Sequence, residues 1–139
     1  MSWDSTLRGR LLGDATIAAT IGSEAGVASI DWDVRRPNAP LPGIVLQVIS
    51  DGRPQNHDGF DGVWWSRVQL RTQALDRATA TALREAAIAT LVEPGEFASD
   101  SGVTTFMRGF VDAVRGATVQ SETRTVFGEL TDFILWHTE

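Results

Sequence analysis

The sequence predicts an α+β fold: an antiparallel-rich sheet of about four or five strands, one main helix packed on one face, and short N-terminal helices beside it. Three observations carry this. Residues 63–73 alternate with period two, Trp64, Ser66, Val68, Leu70 and Thr72 on one side and Arg67, Gln69, Arg71 and Gln73 on the other. That is the pattern of a strand with one buried and one wet face. Over residues 75–92 the chain becomes rich in Ala, Leu, Arg and Glu, with Leu83, Ala87 and Leu91 every fourth residue and Ala80 on the same side, the stripe of an amphipathic helix. Residues 125–137 again read as a strand, now apolar on both sides towards the end.

The remaining elements follow in order. Asp4 or Ser5 can cap a first helix carrying Leu7, Leu11 and Leu12. Gly13 weakens it, and Asp14 offers a second N-cap before Ala15, Ile17, Ala18 and Ile21. Two short helices are therefore expected, ending at Gly22. Residues 27–36 alternate, with Ala28, Ile30, Trp32 and Val34 facing one way and Ser29, Asp31, Asp33 and Arg35 the other, a half-buried strand. Pro37, Pro40 and Pro42 make a stiff extended connection. Residues 44–50 are apolar on both sides, as in a central strand.

Residues 51–62 hold three Asp-Gly pairs and one Pro, which marks an exposed loop, long enough to carry function. It feeds the strand at 63–73, whose helix stops at Pro94 and Gly95. A polar loop over 96–102, a strand over 103–112 and a polar, Gly-containing hairpin connection over 115–122 lead to the last strand. There Phe127, Thr131, Phe133 and Leu135 lie on one side and Val126, Leu130, Ile134 and Trp136 on the other. Both faces of its end need cover, one of them from another subunit if the chain cannot supply it.

Composition narrows the function. The 139 residues suit a single domain over 1–139 with a sizeable core. With no cysteine, disulfides and thiolate metal sites are excluded. No run is apolar and long enough for a signal peptide or a membrane span, so a cytoplasmic product is expected. The formal charge is −6, with twelve scattered basic residues, so the chain is not expected to grip nucleic acid, though DNA could slide past without sticking. No cofactor or metal is expected: the catalytic and phosphate-binding motifs are absent, and the acidic loop lacks calcium-hand spacing. His57 beside Asp58, with Asp61 near, is the one pairing from which a small hydrolase could be argued; a polar surface loop accounts for it better. Trp64 and Trp65 must face opposite ways. Trp64 is expected in the core or under intrachain cover, while Trp65 is open to either cover or a partner.

Three stretches together resemble the tail-terminator or tail-completion family of long-tailed bacteriophages and phage-like gene transfer agents. They are Leu11-Leu12-Gly13-Asp14-Ala15, the run from Leu41-Pro42-Gly43 through Ile44, Val45, Leu46, Gln47, Val48 and Ile49 to Ser50, and the ending Thr131-Asp132-Phe133-Ile134-Leu135-Trp136-His137. The likeness spans nearly the whole chain. It departs at Leu75, where the family often has an aromatic. The resemblance implies a non-enzymatic virion structural protein, a hexameric ring that caps the head-proximal end of the tail tube and stops its polymerisation. It implies a tail-tube partner, a head-side neck or connector partner, and DNA passing through the lumen without specific binding. A head–tail connector is the nearest structural alternative. Assembly is expected in the bacterial cytoplasm, followed by residence in the particle tail. Two candidate assembly or lumen-facing patches follow: the far side of the last strand, with Ile134 and Trp136, and the acidic loop with Asp51, Asp58 and Asp61 and Trp65 at its base.

Overall fold

The computed structural model describes residues 3–24, 26–36, 40–52, 55–56, 59–60, 63–92, 97–98, 105–120 and 123–138. In chain order the elements are α1 (Trp3–Leu12), α2 (Ala15–Thr20), β1 (Ser23–Glu24), β2 (Val27–Ala28), β3 (Ile30–Trp32), β4 (Gly43–Gly52), β5 (Gln55–Asn56), β6 (Gly59–Phe60), β7 (Val63–Ala74), α3 (Arg77–Val92), β8 (Phe97–Ala98), β9 (Thr105–Gly116), β10 (Val119–Gln120) and β11 (Thr125–Thr138). The fold is α+β, as the sequence predicts. The main sheet runs in the order β3-β4-β7-β11-β9-β8, with β10 also on β11. It is wider than the four or five strands expected because short strands extend both edges.

The strand facing read from residues 63–73 holds. Ser66, Val68, Leu70, Thr72 and Ala74 are buried, and the alternate residues of β7 are half-buried. On β11, Thr131, Phe133, Leu135 and His137 share the buried face. α3 covers that face with Ala80, Leu83, Ala87 and Leu91. Its N-terminus is set by Asp76, whose carboxylate accepts from the Thr79 amide (2.8 Å). Thr72 Oγ1 donates to the Ala80 carbonyl (3.0 Å), joining strand to helix inside the core. At the helix end, a Cβ on Gly109 of β9 would collide with the Leu91 carbonyl. Glycine there lets helix and strand backbones touch.

The N-terminal helix breaks where expected. Asp14 caps α2 by accepting from the Ile17 amide (3.0 Å), and its second oxygen accepts from Thr90 Oγ1 of α3 (3.0 Å). One carboxylate thus starts one helix and moors it to another. Leu7, Leu11 and Ile17 enter the same core as Ile30, Ile44, Leu46, Val68, Leu70, Leu83, Phe133 and Leu135.

Residues 27–36 depart from the expectation. They form two short strands, β2 and β3, and Ser29 is buried rather than wet while Val34 is 74% exposed. The cause is local. Arg8 and Arg36 both donate to the Ala28 carbonyl and Arg8 Nε to that of Ile30, while the Ser29 amide turns to the Gly22 carbonyl. Asp33 then takes a left-handed conformation (φ 68°) and ends the strand. β3 pairs in parallel with β4 through Ile30↔Ile44 and Trp32↔Leu46. β4 is therefore central only along its first residues; Ile49 beyond them is 48% exposed.

The loop at 51–62 contains a small hairpin, β5 with β6, and its first two residues, Asp51 and Gly52, belong to the long β4–β7 pair. The polar stretch from 115 is less of a loop than expected. β9 reaches Gly116 and resumes as β10 without change of register, Gly116↔Glu129 being followed by Val119↔Val126. Register shifts near Phe133 and His137 each leave one extra residue on β9, which bends that strand.

Candidate assembly surface

The face of the sheet opposite α3 is where the sequence-selected residues meet. Trp65 on β7 and Trp136 on β11 are directly opposite one another, close enough for side-chain contact across the strands. Ile134 is opposite Phe110 of β9, and Phe110 is 44% exposed. Trp65, Trp136, Ile134 and Phe110 form one apolar stripe crossing three strands. The two patches named from the sequence, Ile134 with Trp136 and the loop base with Trp65, therefore lie side by side on one surface. Trp65 also lies over Gly52, where a Cβ would collide with the indole, so part of its ring has intrachain cover. Trp64 points to the other face and stacks on His137 (centroids 6.4 Å apart), the intrachain cover expected for it.

Beside the stripe sits an ion-pair network that sequence reading missed. Asp132, 4% exposed, accepts from Arg67 (3.0 Å), Arg115 (3.1 Å) and Gln69 (3.4 Å), and Arg67 also pairs with Asp112. Burial pushes the Asp132 carboxyl up, but the hydrogen bonds from Arg115, Gln69 and Arg67 outweigh it and hold the group below its ordinary value. The Arg67 guanidinium is held above its own ordinary value, first by its hydrogen bond to Asp112. Alternation placed Arg67 on the wet face correctly but gave no sign of partners contributed by β9 and β11.

A second cluster lies at the same end of the sheet on the core side. Asp51 on β4 is exposed. Its carboxylate contacts the Ser66 hydroxyl at 2.6 Å, which in turn contacts His137 Nε2 at 2.8 Å; His137 Nδ1 lies 2.7 Å from the Thr138 carbonyl. Three short contacts call for three protons. A neutral imidazole and one hydroxyl supply two, so Ser66 donates either to Asp51 or to His137 until a further proton enters. Burial is the largest influence on His137 and holds its pKa below the ordinary value, against the opposing pull of the Thr138 carbonyl and Asp51. The order Asp–Ser–His is not that of a hydrolytic triad, in which the imidazole lies between carboxylate and nucleophile. Ser66 and His137 are both fully buried, so the cluster ties three strands together rather than meeting a substrate. His57, Asp58 and Asp61 lie outside the described residues. Among the described residues no three His, Asp or Glu side chains gather as metal ligands would, and no helix is long and apolar enough to cross a membrane.

The whole-chain comparisons bear on this geometry. No protein-family profile matches the chain, and no curated protein matches it in sequence. Its fold is similar to that of a solved chain described as "Virion of native gene transfer agent (GTA) particle", with a TM-score of 0.63 at 15% identity over 96% of this chain and 92% of the other. The two chains share a fold over nearly their full lengths.

Proposed function

We propose that this chain, acting as a single domain over 1–139, is a structural, non-enzymatic component of a phage-type particle. Its role is that of a tail terminator: a ring at the head-proximal end of the tail tube that stops tube growth and offers a surface to the neck. The observation that carries the reading is the near full-length likeness to a chain of a gene transfer agent particle. The open sheet face supports it, because a stripe with Trp65, Trp136, Ile134 and Phe110 suits contact with a neighbouring protein. In this reading the stripe meets the tube or an adjoining subunit. Asp51, Asp58 and Asp61 line the lumen, where like charge lets DNA pass without adhering. The free chain is mostly monomeric at low concentration and closes into a ring on a tube end, with assembly in the bacterial cytoplasm before incorporation into the tail.

Adding the purified chain to growing tail tubes tests the role. Tubes of fixed length carrying a ring at one end are expected. Tubes that keep growing, with the chain bound instead to an isolated head portal, would favour the head–tail connector role.

A further inference from the structure

On the face opposite α3, β7 presents two arginines four residues apart, and they are treated differently. Arg67 is paired with Asp112 and Asp132. Arg71 has Val45 of β4 and Leu130 of β11 as its direct cross-strand neighbours. Asp132, two residues along β11 from Leu130, is already engaged by Arg67, Arg115 and Gln69. The adjacent arginines 35 and 36 divide in the same way. Arg36 pairs with Asp31 (2.7 Å) and donates to the Ala28 carbonyl (2.9 Å). Among the described residues no carboxylate forms an ion pair with Arg35 or Arg71. Both are half-buried, so each guanidinium has given up part of its water without a counter-charge in return.

These two side chains meet in one place. At the end of the sheet carrying the start of β4, an open groove of about 430 Å³ is lined by Arg35, Arg71 and Arg124, with a single carboxylate, Asp33, among them. Gln73, Val45 and Val126 also line it. The lining is held by the fold. Val45, Arg71, Gln73 and Val126 lie on three neighbouring strands of the main sheet. Asp33 is left-handed, and its amide donates to the Leu46 carbonyl (2.7 Å). Arg35 stands between that anchor and Arg36, which is itself tied to Asp31 and Ala28.

We propose that this groove binds an acidic, extended peptide segment of a partner protein, its carboxylates on Arg35 and Arg71 and its aliphatic side chains on Val45 and Val126. Guanidinium forks take carboxylates in bidentate fashion, and arginine clusters are a recurrent means of reading acidic motifs. The Gln73 amide can both donate to and accept from a peptide bond. A phosphodiester backbone fits less well. It needs a continuous basic track, whereas here Asp33 interrupts the arginines, valines form part of the wall, and the chain carries a formal charge of −6. The groove is also distinct from the apolar stripe. From Trp65 to Arg71 the strand rises roughly 20 Å, so one face can hold two neighbours at once. The inference therefore goes beyond the ring reading and does not depend on it.

The test is a titration of the isotope-labelled full chain with a synthetic peptide of alternating glutamate and valine, following the arginine side-chain resonances by NMR. Three control probes are the same peptide with glutamine in place of glutamate, inorganic phosphate, and a short DNA duplex. Saturable shifts are expected at Arg35 and Arg71, while Arg67, already paired, stays still. Affinity should be at least about tenfold weaker for the glutamine peptide and for the Arg71→Gln protein. Arg35→Gln, beyond the end of β3, should weaken binding likewise and serves if Arg71→Gln fails to fold. No saturable shift at millimolar peptide, or an equal response to the glutamine peptide, overturns the proposal. Phosphate binding as tightly as the peptide would reduce the groove to a simple anion site, and tighter binding of the duplex would make it a nucleic-acid surface; either result overturns it. The tube-growth assay keeps the two readings apart. A chain that binds the peptide but does not stop tube growth leaves the groove standing and the ring refuted, and the opposite pair of results does the reverse.

Discussion

Asp132 and His137 are both buried on β11, and each ties stability to pH. The His137 pKa is lowered from its ordinary 6.5 by burial, so between the two values the unfolded chain binds more protons than the folded one. Its contribution is complete above about pH 6.5 and declines as pH falls below that. The Asp132 pKa is lowered from 3.8, so its contribution holds above that value and is lost as pH falls through the folded one. Denaturation measured from pH 8 to pH 2 should therefore show two successive losses. His137→Gln should flatten the first, and Asp132→Asn the second, at a cost of about 1–3 kcal/mol near neutral pH. A first limb unchanged in His137→Gln would mean that another group titrates there. Neither cluster was legible in the sequence: Asp51, Ser66 and His137 meet only through the registers of three strands, and Asp132 looked like one polar residue in an apolar run.

At the scale of elements, burial between strand and helix is the main source of stability. Leu70 and Leu83 are both fully buried, and each truncation to Ala should cost about 2–5 kcal/mol by chemical denaturation. If Leu70→Ala proves as mild as Leu75→Ala at an exposed position, the facing of β7 is wrong. Gly109→Ala should also destabilise, by separating the end of α3 from β9, and hydrogen exchange should rise first at residues 89–92. The β7–α3 pair was readable because its two periods are long and uninterrupted. Residues 27–36 were not, because Val27 and Ala28 pair back on β1 while Ile30–Trp32 pair with β4, and Arg8 and Arg36 take the Ala28 carbonyl at the break between them. The same blindness hid the continuity of β9 with β10, where polar composition resembled a loop but register persists.

At the scale of the whole molecule, α3 closes one face of the sheet, and among the described residues no helix covers the other, where Trp65, Ile134 and Trp136 are half-buried and Phe110 exposed beside charged residues. An isolated chain gains little from a stripe of Trp65, Trp136, Ile134 and Phe110, whereas an assembly can bury it. The fold is shared with a chain of a gene transfer agent particle, and the ring follows as the proposal that uses both facts. Electron microscopy of particles carrying the chain, at a resolution that traces β11, tests it most directly. The account predicts a ring of this subunit at the head-proximal end of the tail tube, with Asp51, Asp58 and Asp61 facing the bore. A subunit on the outer tail surface, or a bore lined by arginine, would contradict it.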